Sequence, residues 1–251
     1  MRFFAHLAYN GKNYNGWQIQ KNRATTVQQV IQHALSTISQ EKIDIVGCGR
    51  TDTGVHAANY FIHFDSDFDW IDKEYKLNRM LPTDIVIYKI AKVGIKDHAR
   101  FDAESRSYTY KMHTYKDVFT DGLSYFYRTQ KVDLKTLNDV ASIFLNYKEF
   151  YPFCKSKSGV EHYKCDLYSV GWLGIDSTHF EFKVSANRFL RGMIRLMVGA
   201  CLLVNEKKLS ISQIELALEK QKRLPKSLSA PPEGLYLTKI IYPEKISDFF
   251  T

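Results

Sequence analysis

The order in which hydrophobic spacing changes along residues 1–100 limits the fold of this chain more than any other feature. Residues 2–9 alternate apolar and polar, as a half-buried strand does. Thr25-Thr26-Val27-Gln28 reads as a capping box, and Val27, Val30, Ile31, Ala34, Leu35 and Ile38 follow at helical spacing. Residues 42–47 and 58–64 read as strands. Asp69 is expected to cap a helix that runs to about Leu81 and is stopped by Pro82, and residues 84–93 are again β-rich. This order, βαββαβ, is the ferredoxin-like pattern.

The second half repeats the order with additions. A strand over 106–115 precedes a helix over 134–145 that carries Leu134, Leu137, Val140, Ala141, Phe144 and Leu145 on one face. Strands are expected over 164–174 and 178–186, then helices over 188–204 and 211–221, the latter capped by Ser210 with Gln213, and a last strand over 235–242. No low-complexity linker separates the halves. The expectation is an α+β protein of two ferredoxin-like halves, residues 1–100 and 101–251 with a boundary near 95–105. They would pack side by side on a central antiparallel sheet, with a cleft between them that suits looped RNA.

A formal charge of +8 favours a polyanionic partner. Sixteen tyrosines and sixteen phenylalanines, many beside cations as in Arg106-Ser107-Tyr108-Thr109-Tyr110-Lys111, suit unpaired bases as well as half-buried strands. Cys48, Cys154, Cys165 and Cys201 form no Cys-x-x-Cys pair, which fits a reduced, cytoplasmic setting. The spacing of Cys154, His162 and Cys165 matches no common zinc site, so no metal is expected. The N-terminus lacks a signal-peptide core. Met193 to Val204 is too short to span a bilayer and reads as a buried helix.

Between the second and third expected strands, Gly47 to His56 holds Arg50, Asp52 and His56 among three glycines. Such a loop either presents a reactive carboxylate at a fixed position or is a hairpin whose Asp satisfies its own turn amides.

Gly49-Arg50-Thr51-Asp52-Thr53-Gly54-Val55-His56-Ala57 resembles the signature of the tRNA pseudouridine synthase A family. The likeness continues through Tyr9-x-Gly11, Gly16-Trp17-Gln18-x-Gln20, Thr26-Val27-Gln28 and Arg106-x-Tyr108-x-Tyr110. It extends to Phe189-Leu190-x5-Arg195-x2-Val198-Gly199 and to Ala230-Pro231-Pro232-Glu233-Gly234-Leu235-Tyr236-Leu237, all in the family's order. The resemblance implies isomerisation of uridine to pseudouridine at positions 38, 39 and 40 of the tRNA anticodon arm. It also implies a homodimer in which one tRNA contacts both subunits.

The chemistry asks for a carboxylate that attacks ribose or base, or assists departure of uracil, and Asp52 fits. No redox step occurs and no group is imported, so no cofactor or metal is expected. Arg195, facing inward from an apolar helix, is expected to keep that carboxylate charged. Arg50 is assigned to phosphates or to the gap left by a flipped nucleotide. Tyr108 is expected under the uracil with its hydroxyl near the C5 proton, and Tyr110 to pack. His56 either binds phosphate or closes the loop, and Gln18 and Trp17 either contact RNA or, for Trp17, anchor the core. An aspartic protease needs two Asp-Thr-Gly carboxylates, of which the chain has one; a dimer could supply the second, but the capped amphipathic helices and Arg50 beside the tripeptide argue against it. A non-catalytic RNA-binding module is the stronger alternative.

Overall fold

The computed structural model describes residues 1–20, 24–128, 131–155, 159 and 161–250. The elements are β1 (Arg2–Tyr9), α1 (Val27–Ser39), β2 (Ile45–Gly47), β3 (His56–Asp65), α2 (Glu74–Met80) and β4 (Ile85–Val93). There follow β5 (Ser105–His113), β6 (Tyr125–Phe126), α3 (Leu134–Ile143), β7 (Leu167–Gly174), β8 (His179–Ala186), α4 (Met193–Asn205), α5 (Ile211–Glu219), β9 (Leu235–Ile241) and α6 (Glu244–Ser247). The chain divides into two compact units, Met1–Arg106 with Tyr236–Thr251, and Ser107–Leu235.

In the first unit the βαββαβ elements form an antiparallel sheet in the order β4-β1-β3, with β2 on the far side of β3. The edge of β3 is shared. Its later residues, Ile62 to Phe64, pair with β2, and His56 and Ala57 pair in parallel with Tyr236 and Leu237 of β9. The last strand therefore joins the first unit from Tyr236 onward, which its place at the end of the sequence does not suggest. Both faces of β1 are covered, since Phe3, Phe4 and Ala5 are all buried. One face receives the C-terminal segment, where Tyr242 packs edge-on to Phe4 and Phe61.

Local details depart from expectation for identifiable reasons. Thr26, not Thr25, caps α1 by accepting from Gln29 N. Gln28 instead accepts from Ile19 N and donates to Ile45 O, so it ties the loop at Ile19 and the first residue of β2 to the helix start. Asp69 accepts from Ile71 N in a turn, and α2 begins only at Glu74. Leu81, ahead of Pro82, is extended and ends that helix. Strand β2 is confined to Ile45–Gly47.

The second unit carries the order β5-β8-β7, with β7 and β8 antiparallel and the short β6 parallel to the end of β5. Asp133 caps α3 by accepting from Lys135 N and Thr136 N, and Ser210 with Gln213 forms the expected capping box on α5. Helix α4 starts at Met193 rather than 188 because Gly192 is left-handed, with φ +71°, which breaks the helical run. Ten of its thirteen residues are buried, as its apolar sequence requires. Among the described residues no helix is long and apolar enough to cross a membrane. The lysines of the 154–165 segment suit an RNA backbone by charge, and of these Lys157 lies outside the described residues.

A buried histidine gives the first unit a pH limit. His63 is only 4% exposed, stacks on Phe4 and accepts from Ala99 N through Nδ1. Burial pushes its pKa down to about 4, with the nearby His98 and Arg2 adding to the effect. The unfolded chain binds this proton near its ordinary value of 6.5 and the fold does not, so stability is complete above that value and declines as pH falls towards 4. The urea midpoint is expected to fall over that window, and His63→Gln, which keeps an acceptor without titrating, should flatten the decline.

Candidate active site

The Asp52 loop leaves the sheet at Gly47 and returns at His56, and its base is tied at several points. Cys48 N donates to Phe61 O at 2.9 Å, and the Tyr60 hydroxyl donates to Gly49 O at 2.6 Å. Arg106, in the run of rings and cations on β5, donates to the carbonyls of Ala103, Arg100 and Cys48. It is a brace under the loop.

The loop's crown is held by the segment Tyr9 to Trp17. The Tyr9 hydroxyl and Thr51 Oγ1 share a buried hydrogen bond of 2.9 Å. Trp17 N donates to Thr51 O at 3.2 Å, and Gly54 N donates to Tyr14 O at 3.3 Å. Two backbone approaches are so close that only glycine fits. A Cβ on Gly11 would lie 2.0 Å from Val55 O, and one on Gly16, whose φ is +82°, would lie 2.6 Å from Thr51 O. Val55 N returns to Asp52 O at 3.1 Å, closing a turn in which Gly54 takes φ +76° as a type II turn demands. Asp52, half-buried, is thus the first residue of a turn whose flanks are pinned from the neighbouring segment.

His56 is 1% exposed, belongs to β3 rather than to the loop, and accepts from Gly11 N through Nδ1 at 3.1 Å. Its ring stacks on Tyr236 at 4.5 Å. These contacts tie the end of the loop to Gly11 and Tyr236. Trp17 is 2% exposed and packs on Tyr60 with ring centroids 4.3 Å apart, so it anchors the core. Arg50 and Gln18 are exposed.

The other candidates lie in the second unit. Tyr108 is half-buried on β5, with Phe189 edge-on to its ring at 5.3 Å. Tyr110 is wholly buried and donates its hydroxyl to Pro231 O, and burial raises its pKa well above the ordinary value. It packs, as expected. Arg195 is half-buried on the first turn of α4, and its Nε donates to Ala230 O at 2.6 Å while Ala230 N donates to Arg195 O at 2.9 Å. Gly199, one turn on, lets the same segment cross closely, since a Cβ there would lie 1.8 Å from Leu228 O. Residues 228–230 therefore fix the Arg195 side chain at its root.

A model of the family described as tRNA pseudouridine synthase matches residues 5–102 and 146–243. The chain belongs to this family. It is 41% identical over 254 residues to tRNA pseudouridine synthase A of Porphyromonas gingivalis, spanning 99% of both chains. The corresponding protein of Bacteroides fragilis is 37% identical over 249 residues and 98% of both chains. That of Staphylococcus aureus is 34% identical over 258 residues, covering 99% of this chain and 96% of its own. Membership of the tRNA pseudouridine synthases makes this an isomerase acting on tRNA. The two matched stretches contain the Asp52 loop and α4, and Tyr108 falls between them.

Tyr14 and Tyr60, which the sequence did not single out, join Tyr9 and Arg106, which it offered only as members of motifs, in supplying most of the side-chain and backbone ties on the Asp52 loop. Gly16→Ala is expected to displace the loop through both its positive φ and its contact with Thr51 O. Isomerisation by this variant should fall by about a hundredfold, because a shift near 1 Å at a reacting group costs on that order. Circular dichroism and tRNA affinity should stay close to wild type, and a variant of undiminished turnover would contradict the role of the close approach.

Proposed function

We propose that this chain converts uridine to pseudouridine at positions 38, 39 and 40 of the tRNA anticodon arm, with Asp52 as nucleophile. The observation that carries this reading is the pinned turn that begins at Asp52, within a stretch matched by the family model. A carboxylate held in place before substrate arrives loses little freedom on reaching the transition state.

The reaction is an internal exchange of bonds. The N1–C1′ bond breaks, the uracil turns in place, a C5–C1′ bond forms, and the proton lost from C5 is balanced by one gained at N1. Asp52 attacks ribose or base, or assists the departure of uracil, and is regenerated at the end. Arg195 supplies the cation that keeps this carboxylate ionised in a site poor in water. Tyr108 stacks on the displaced uracil, and its hydroxyl takes part in removing the C5 proton. The uridine must leave its stack before any side chain reaches it, and exposed Arg50 and Gln18 hold the phosphates and the vacated gap. His56 serves by holding the loop closed. The working enzyme is a homodimer in the cytoplasm, with one tRNA in contact with both subunits.

A non-catalytic RNA-binding role is separated from this one by tritium. With tRNA tritiated at C5 of uridine, the wild type should release label to water. Asp52→Ala should bind tRNA but lose release by at least about a thousandfold, as removal of a nucleophile does. Release by that variant at the wild-type rate would sink the assignment. Arg195→Met should lose turnover with modest change in tRNA affinity, and intact turnover with weaker binding would contradict its pairing with Asp52.

A further inference from the structure

A second basic site lies in the second unit, formed by residues to which the chemistry above gives no role. It is an open cavity of about 400 Å³ lined by Cys154, Lys155, Arg191, Leu196, Arg223 and Ser227. Its three cations come from three separate segments: the turn after Tyr151–Phe153, the turn before α4, and the stretch after α5. Those segments are tied to one another. Lys155 N donates to Arg191 O at 2.9 Å, and Arg223 Nη1 donates to Cys154 O. Gly192 takes φ +71° and leaves room for the Lys155 stem, since a Cβ there would lie 2.8 Å from it. The Arg223 guanidinium sits over the Tyr151 ring at 4.5 Å, which fixes its plane.

Among the described residues no carboxylate lines this cavity, and Lys155, Arg191 and Arg223 border an open space with a hydroxyl from Ser227 beside them. Helix α4 begins next to it with no side-chain cap, which adds the positive end of its dipole. Exposed Lys220, Lys222 and Lys226 continue the charge along the surface. A cluster of cations favours an anion, and planar guanidinium groups suit the oxygens of a phosphate.

We infer that this cavity seats a backbone phosphodiester of the tRNA, at a nucleotide other than the one that reacts. The inference rests on the tRNA reading above and names a second point of grip for the same substrate. Its role is to position the RNA. Arg191 and Arg223 are positioning residues, and their loss is read in affinity and in salt dependence.

The test measures tRNA binding by fluorescence anisotropy across a salt series for wild type, Arg191→Gln, Arg223→Gln and Arg223→Lys. Each Gln variant should weaken binding roughly fivefold at moderate salt and flatten the slope of log K against log salt by about one, the mark of a lost phosphate contact. Arg223→Lys should recover the slope, because it keeps the charge. In turnover assays KM for tRNA should rise by a larger factor than kcat falls. Thermal midpoints identify any variant that is merely misfolded, and the two Gln variants test the site independently. Unchanged affinity and slope in both would overturn the proposal, as would a weaker affinity with an unaltered slope. Failure of the wild type to release tritium would sink the proposed activity, whereas the cavity stands or falls on the slope.

Discussion

Two glycine backbones pressed against the carbonyls of Thr51 and Val55 set the shape of the region on which the proposed chemistry depends. The contact is unusual in what it excludes. Any side chain at Gly11 would drive into Val55 O, and any at Gly16 into Thr51 O. Around it, Tyr9, Tyr14 and Trp17 hold the same loop by hydrogen bonds to Thr51 and Gly54, and Tyr60 and Arg106 hold its base. A loop between strands ordinarily keeps much of its freedom. Here the neighbouring segment removes it, and the carboxylate at the head of the turn is presented by a framework rather than by a flexible connection.

The same principle recurs at Arg195. A long cation on a helix has many rotamers, and most are lost when its Nε is tied to Ala230 O. The close crossing of Leu228 at Gly199 holds that acceptor in place. Backbone carbonyls and glycine contacts thus shape the turn that begins at Asp52 and the root of Arg195. The basic cavity around Arg223 is built likewise, with one guanidinium laid on Tyr151 and bonded to Cys154 O.

Much of this was legible in the chain because hydrophobic period reports which faces are buried. The βαββαβ order, the apolar α4 and the Ser210 capping box follow from local spacing, and the structure has them. The motif around Asp52 was legible as a loop rich in chemistry, and the fold explains its companions: Gly11 and Gly16 are spacers for it, and Trp17 is its anchor. What was not legible depends on contacts far apart in sequence. Nothing local shows that β9 takes the edge of β3 left by the short β2, or that Arg106 braces Cys48. Lys155, Arg191 and Arg223 meet only because three turns are tied together. Small misreadings had local causes as well. Adjacent threonines made the cap of α1 ambiguous by one residue, and Asp69 caps a turn where a helix was expected.

If the Asp52 loop is built before tRNA arrives, its amides must already be protected in the free protein. Hydrogen–deuterium exchange of the protein alone reads this directly at Trp17, Gly54 and Val55, whose N–H groups are bonded within the clamp. Exchange there should be as slow as in the body of β3, because opening these bonds requires the glycine contacts to separate. Exchange at the rate of an open surface loop would mean that the turn forms only on the RNA, and that the loop is not built in advance.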